Sequence, residues 1–260
     1  MEYIEKYVNK CFTAQYKVDG SVSVLLVFHG LLESTERYAE LAEYLSSYGV
    51  SVVVFDMPGH GRTLATETGV FNKCDVLDSM DLMYSYVGQN YQGVPIVVLA
   101  HSMGSFYFRL WSLEHHDVYA VLSGTGNYPN IILGFCTTAV RILGSKSVDI
   151  ASYLASLRFL SFKKYAWISR DVQEVDKFPV YDIRIDKKSL KDLLNVITSV
   201  NHKYCPALYI SGCKDVIGCG LSGFDNVVKF PGARHELLHE TNRYEVFEQI
   251  RKEIMFHSEH

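Results

Sequence analysis

The chain has 260 residues, of which 48% are hydrophobic and 21% charged, with a formal net charge of −4. This length buries one sizeable core and leaves little room for two full domains, and the composition excludes a disordered chain. The acidic balance without a basic block argues against nucleic acid as a partner, and no apolar run reaches the length of a membrane span.

In chain order, the segment up to about Asp19 reads as an antiparallel hairpin on a sheet edge. Its first residues, M-E-Y-I-E-K-Y-V-N-K, are charged throughout and hold no apolar stretch, so no signal peptide is expected and the protein should be cytoplasmic. The 6 Cys are then expected as reduced thiols; Cys213 and Cys219 are near enough in sequence to raise a disulfide, but free thiols fit better. Short β-rich runs follow at 22–28, 50–55, 94–100, 118–123, 207–211 and 225–230. Near-continuous Val, Ile and Leu predicts strands buried on both faces, as in a parallel sheet. Between them lie helical patterns. Residues 35–48 place Tyr38, Leu41, Ala42 and Leu45 on one face and stop at Gly49, and 75–90, 103–115 and 241–256 read similarly. Alternating strands and helices predict a doubly wound α/β sheet.

One interval breaks the alternation. From Asn127 to about residue 200 no core strand is predicted, which is too long for a loop in a compact α/β domain. It reads as a helical insertion with runs at 131–143, 151–160 and 189–197, the last of which could belong to the core. The expected division is a core of 1–126 and 201–260 and a helical cap of 127–200.

In open α/β sheets, sites form beyond the C-terminal ends of the strands. Past the first core run stand His29 and Gly30, past the second Asp56 and then His60, and past the third His101-Ser102-Met103-Gly104. Asp215 follows the fifth run and His235 the sixth. Ser102 lies between an apolar strand and a helix, with Ala100 and Gly104 two positions away on either side. A sharp strand-turn-helix elbow needs small residues there, and it lifts the Ser hydroxyl above the sheet edge. The usual elbow has Gly at both positions; Ala adds one methyl, which should fit.

The stretch R-H-E-L-L-H-E at 234–240 contains H-E-x-x-H, which on a helix would hold zinc. Pro231 and Gly232 put His235 at a turn instead, and the downstream third ligands Glu253, His257, Glu259 and His260 include residues of a fraying terminus. The zinc reading also leaves Ser102 and Asp215 without a role, so no metal and no cofactor is expected. His239 and Glu240 are expected to stabilise the turn into the last helix. His29 and His60 are expected to support loops and His101 to pack, with His115, His116, His202, His257 and His260 at the surface and Arg37 structural.

Taken together, H-G at 29–30 with E-S-T-E-R-Y, D-M-P-G-H-G-R-T at 56–63, H-S-M-G at 101–104, S-G-C-K-D at 211–215 and P-G-A-R-H-E-L-L-H-E-T-N-R at 231–243 resemble the α/β-hydrolase superfamily. Within it the chain is similar to the monoacylglycerol lipase and lysophospholipase family. W-I-S-R-D at 167–171 is similar to bacterial lysophospholipase-like members, while the link from Asp215 to His235 is shorter than relatives usually have. The resemblance implies an α/β-hydrolase fold with a helical cap and a serine hydrolase that cleaves lipid-type carboxylic esters through an acyl-enzyme. Ser102 would be the nucleophile, His235 the base and Asp215 its orienting acid, with Asp225 a weaker candidate on the wrong edge of the sheet. The backbone N–H groups of Leu31 and Met103 would form the oxyanion hole, supported by the loops of His29, Gly30, Asp56 and His60. The implied partner is a small lipid or ester, with room for transient contact between the cap and a membrane surface. A small-ester, thioester or peptide substrate, or a non-catalytic ligand-binding role, are the alternatives.

Overall fold

The computed structural model of the chain describes residues 1–179 and 184–258. Positions 180–183 of the expected cap, with Glu259 and His260, lie outside the described residues. The hairpin β1 (Glu2–Val8) and β2 (Cys11–Lys17) is antiparallel, and β2 also pairs antiparallel with β4 (Val50–Phe55). Beyond β4 every pairing is parallel, through β3 (Ser23–Phe28), β5 (Ile96–His101), β6 (Ala120–Ser123), β7 (Ala207–Gly212) and β8 (Val227–Phe230). The sheet order is β1-β2-β4-β3-β5-β6-β7-β8, an α/β-hydrolase arrangement.

The core has two layers because the side-chain period of a strand is 2. In β3, Val24, Leu26 and Phe28 pack into one layer, and Leu25 and Val27 into the other. The first layer is covered by α2 (Lys73–Asn90), α3 (Met103–Trp111) and the helix at Lys187–Val200; the second by α1 (Ala39–Ser46) and the C-terminal helix at Arg243–Ser258. Truncating a fully buried residue such as Leu26 to Ala would cost about 2–5 kcal/mol.

Local chemistry moves several boundaries. The pattern at 35–48 opens as a 3₁₀ turn, Thr35–Tyr38, since Ser34 makes no side-chain cap and the Thr35 N–H is bonded to Asp56 Oδ1 at 2.7 Å instead. The pattern at 103–115 stops at Trp111, where the His115 ring stacks on the indole at 3.7 Å. His115 is therefore half-buried against Trp111, and His257 against Tyr119, where bare surface positions were expected. The last strand is an edge, half-buried over Val227 and Val228, and not the doubly covered strand its composition suggested. All 6 cysteines are free.

Between β6 and β7 the chain runs through α4 (Asn130–Leu143), α5 (Lys146–Leu157), α6 (Val172–Asp176) and α7 (Lys187–Val200). Asp186 starts α7 by accepting from the N–H groups of Lys188 and Ser189. α7 packs on both α3 and α4, so it joins the inserted helices to the sheet layer. Among the described residues no helix is long and apolar enough to cross a membrane.

Candidate active site

Ser102 sits between β5 and α3 with φ 47° and ψ −114°, a region costly for a residue with a Cβ. Its N–H donates to Ser123 O at 2.8 Å, and its carbonyl accepts from Ser105 Oγ at 2.6 Å, so neighbouring turns hold the strained backbone. The small-residue requirement is concrete at Gly104, where a Cβ would lie 2.3 Å from Phe28 O. Ala100 is fully buried between β3 and β6, which have room for its methyl.

The His235 ring bridges the other two residues. Its Nε2 is 2.9 Å from Ser102 Oγ, and its Nδ1 is 3.0 Å from both Asp215 oxygens. An ionised carboxylate only accepts, so Nδ1 carries the proton and Nε2 is free to accept from the Ser hydroxyl. Asp215 is buried, which alone would raise its pKa; His235 and the N–H groups of Gly218 and Ile217 outweigh this and bring it below its ordinary value. The short link after Asp215 is pinned rather than loose. Tyr128 Oη donates to Ile217 O at 2.7 Å, and Asn127 N–H to Cys219 O at 3.1 Å. Asp225 is exposed ahead of β8 and makes no contact with His235.

The loops beside Ser102 are tied together. His29 Nε2 accepts from Met57 N–H at 2.8 Å, so its Nδ1 donates to Gly30 O at 2.7 Å. Asp56 accepts from the N–H groups of Thr35 and Arg62, and its burial raises its pKa. His60 lies against His29 with its Nδ1 on Pro58 O, and burial lowers its pKa to about 3, so it is neutral. Leu31 and Met103 line the same cavity as Ser102.

His101 was expected only to pack, and this is corrected. Its Nε2 lies 3.2 Å from Glu236 Oε1, its Nδ1 3.3 Å from Ser123 Oγ, and its ring 4.9 Å from that of His235. Glu236 also pairs with Arg37, whose guanidinium reaches Glu33 and, on α6, Glu174. Glu33 in turn accepts from Gly30 N–H at 2.5 Å. One buried ion network thus touches the elbow, the His235 turn, the Gly30 loop and the inserted helices. Burial alone would lower the pKa of His101, but Glu236 and Glu33 raise it to about 9. A folded value above the unfolded one of about 6.5 means that this stabilisation is full below the unfolded value and fades as pH rises through about 9. Between these limits the Tm of the wild type should fall more steeply than that of His101→Gln; parallel curves would refute the charged assignment.

The H-E-x-x-H segment is a turn, not an α-helix, with a 3₁₀ stretch at Leu237–His239. His239 Nδ1 faces Glu174 at 3.2 Å, away from the partners of His235. Glu240 does brace the turn, accepting from Arg234 and Thr241 N–H, but it also holds Arg170 of the insertion at 2.7 Å. Glu33, Glu236 and His239 bring ligand atoms within 4.8 Å of one another. Both carboxylates already have Arg37 as their cation, so the set does not invite a metal.

Two further residues shape the site, neither of them assigned a role from sequence. At Gly124, with φ 66°, a Cβ would lie 2.7 Å from His235 Cε1, so only Gly leaves room for the ring. Trp167, from the W-I-S-R-D stretch, packs its ring 5.1 Å from that of His235. Ser102 and His235 open onto a cavity of about 480 Å³. Its walls are largely apolar, with Phe106 and Leu193 from the core side and Leu133 and Val148 from α4 and the α5 segment.

A family model described as Hydrolase_4, serine aminopeptidase S33, matches residues 20–218. The chain is 24% identical to a monoglyceride lipase homolog of Monkeypox virus, covering 89% of this chain and 87% of that one. It is also 24% identical to phospholipase YtpA of Bacillus subtilis, covering 91% and 96%. Among solved structures, one titled lipase (open form) aligns with TM-score 0.77 at 20% identity, over 100% of this chain and 99% of that one.

Proposed function

The chain belongs to the Hydrolase_4 family of α/β-hydrolases, and from that premise we propose that this carboxylic ester hydrolase cleaves single-chain lipids, a monoacylglycerol or a lysophospholipid. The observation that carries the reading is the Ser102–His235–Asp215 chain of hydrogen bonds at the mouth of an apolar cavity of about 480 Å³. Ser102 Oγ attacks the ester carbonyl as His235 Nε2 takes its proton. The developing oxyanion is received by the backbone N–H groups of Leu31 and Met103, each worth roughly 3 kcal/mol in the transition state. His235 returns the proton to the departing alcohol, leaving an acyl-Ser102. A water molecule, deprotonated by His235, then releases the fatty acid and restores the hydroxyl. Asp215 holds the imidazole in the tautomer that both steps need.

The inserted helices α4 to α6 act as the cap, while α7 belongs to the sheet layer, and the cap carries exposed apolar side chains. Ile131 and Phe135 of α4 point outward, and beyond α5 Leu160 and Phe162 are 94% and 89% exposed. Exposed apolar side chains of this size support transient contact with a lipid surface, where the substrate resides. An apolar cavity favours this substrate over a small ester or a peptide, because each CH₂ held in the transition state contributes roughly 0.8 kcal/mol.

An ester series tests both points. kcat/KM should climb from acetate towards medium or long acyl chains. Long-chain ester presented in phosphatidylcholine vesicles should be cleaved less well by Leu160→Ser combined with Phe162→Ser than by the wild type. A maximum at acetate or propionate would sink the lipid reading, and equal vesicle activity would remove the membrane contact.

A further inference from the structure

A second cavity, of about 200 Å³, lies across residues 165–170 from the first. Tyr165, Trp167 and Ile168 line the larger cavity, while Ala166, Ser169 and Arg170 line the smaller. Its remaining wall includes Arg234, Lys163 and Ser161 with Phe159, Val172 and Val175, and no acidic residue among the described residues lines it. At about 200 Å³ against about 480 Å³ it suits a small head better than an acyl chain.

The cationic groups are held in place with donors to spare. Arg234 lies over the Phe159 ring, its Cζ 4.2 Å from the centroid, and its Nη1 donates to Ala166 O and Ser169 O. Arg170 donates from Nε to Glu240 and from Nη2 to Asn242. Among the described residues these bonds leave Arg234 Nε and Nη2, and Arg170 Nη1, without a protein acceptor. Lys163 is paired with Asp176 and Arg170 with Glu240, but no carboxylate among the described residues is within ion-pair distance of Arg234. Burial pushes the Arg234 pKa down; the Glu240 carboxylate that Arg170 holds counters this, and the charge of Arg170 adds a smaller push down.

We propose that this cavity binds a phosphate monoester dianion, gripped by Arg234 and Arg170 with Lys163 at its rim. The planar forks of two arginines match phosphate oxygens, and Ser161 and Ser169 offer neutral partners. The site spans the inserted segment and the turn that carries His235, so its occupant cross-links the two. It uses none of the residues assigned to ester cleavage, and its ligand comes either from solution or from a lipid headgroup.

Calorimetric titration and thermal unfolding of the full chain with inorganic phosphate and with glycerol 3-phosphate, against sodium chloride of equal ionic strength, test the site. Saturable binding is expected, with a raised Tm. Arg234→Gln should weaken it about tenfold or more, as loss of charge-assisted bonds does. Lys163→Gln should weaken it severalfold while leaving ester hydrolysis unchanged. Co-sedimentation with vesicles of phosphatidic acid or of phosphatidylcholine separates the sources. An Arg234-dependent preference for phosphatidic acid without binding of the soluble phosphates assigns a lipid head; tight binding of the soluble phosphates without that preference assigns a free metabolite. If neither soluble phosphate binds saturably and phosphatidic acid gives no Arg234-dependent preference, or if both variants bind as the wild type does, the proposal is overturned. None of these readouts depends on the nucleophile assignment.

Discussion

Ser102→Ala should lower kcat for ester hydrolysis by roughly four to six orders of magnitude, with the folded structure retained. Loss of Oγ removes the atom placed 2.9 Å from His235 Nε2 as the proposed acyl carrier. The residual rate would be that of water activated beside an intact oxyanion site. The backbone at Ser102 offers a companion test, because φ 47° with ψ −114° suits Gly and strains Ser. Ser102→Gly should therefore be equally inactive yet more stable than Ser102→Ala, by about 1 kcal/mol or more, seen as a higher Tm. Near-normal turnover of p-nitrophenyl esters by either variant would remove Ser102 as the proposed nucleophile.

The two His of the H-E-L-L-H stretch should separate by a wide margin. His235→Ala deletes the proposed base and should cost several orders of magnitude in kcat. Asp215→Asn should cost about 10⁴-fold, because an amide no longer holds the imidazole in the tautomer that accepts from Ser102. His239→Ala removes a contact to Glu174 on α6, where Arg37 and Lys177 remain as cations. Its effect should stay within about tenfold in kcat and appear mainly as a lower Tm. Equal losses at His235 and His239, with stoichiometric zinc and inhibition by a chelator, would restore the metal reading of the stretch. Purified variants, assayed on one ester with and without chelator, decide it.

The alternation of strands and helices, and the order in which Ser102, Asp215 and His235 follow their strands, were legible in the sequence itself. Hydrophobic period and turn chemistry are local properties, and in a parallel sheet every strand delivers its C-terminal end to one edge. The elbow was legible for the same reason: Ala100, Ser102 and Gly104 act within five residues. What only the tertiary structure decided is which distant groups meet. Glu236 pairs with Arg37 across 199 positions and with His101 across 135, and no period or spacing encodes such partners. His101 therefore read as packing, although in the fold it is a buried cation between Glu236 and the His235 ring. Gly124 is the same case, an ordinary turn glycine until the His235 ring arrives from a turn more than 100 residues later and occupies the place of its Cβ. Arg234 and Arg170 carry no individual signal in the sequence; the inserted segment folds back on the His235 turn and sets both around one cavity. Local patterning chose the elements and their order; charge partners and close approaches were settled by chain segments that are neighbours only after folding, where burial makes an unpaired charge or an added methyl costly.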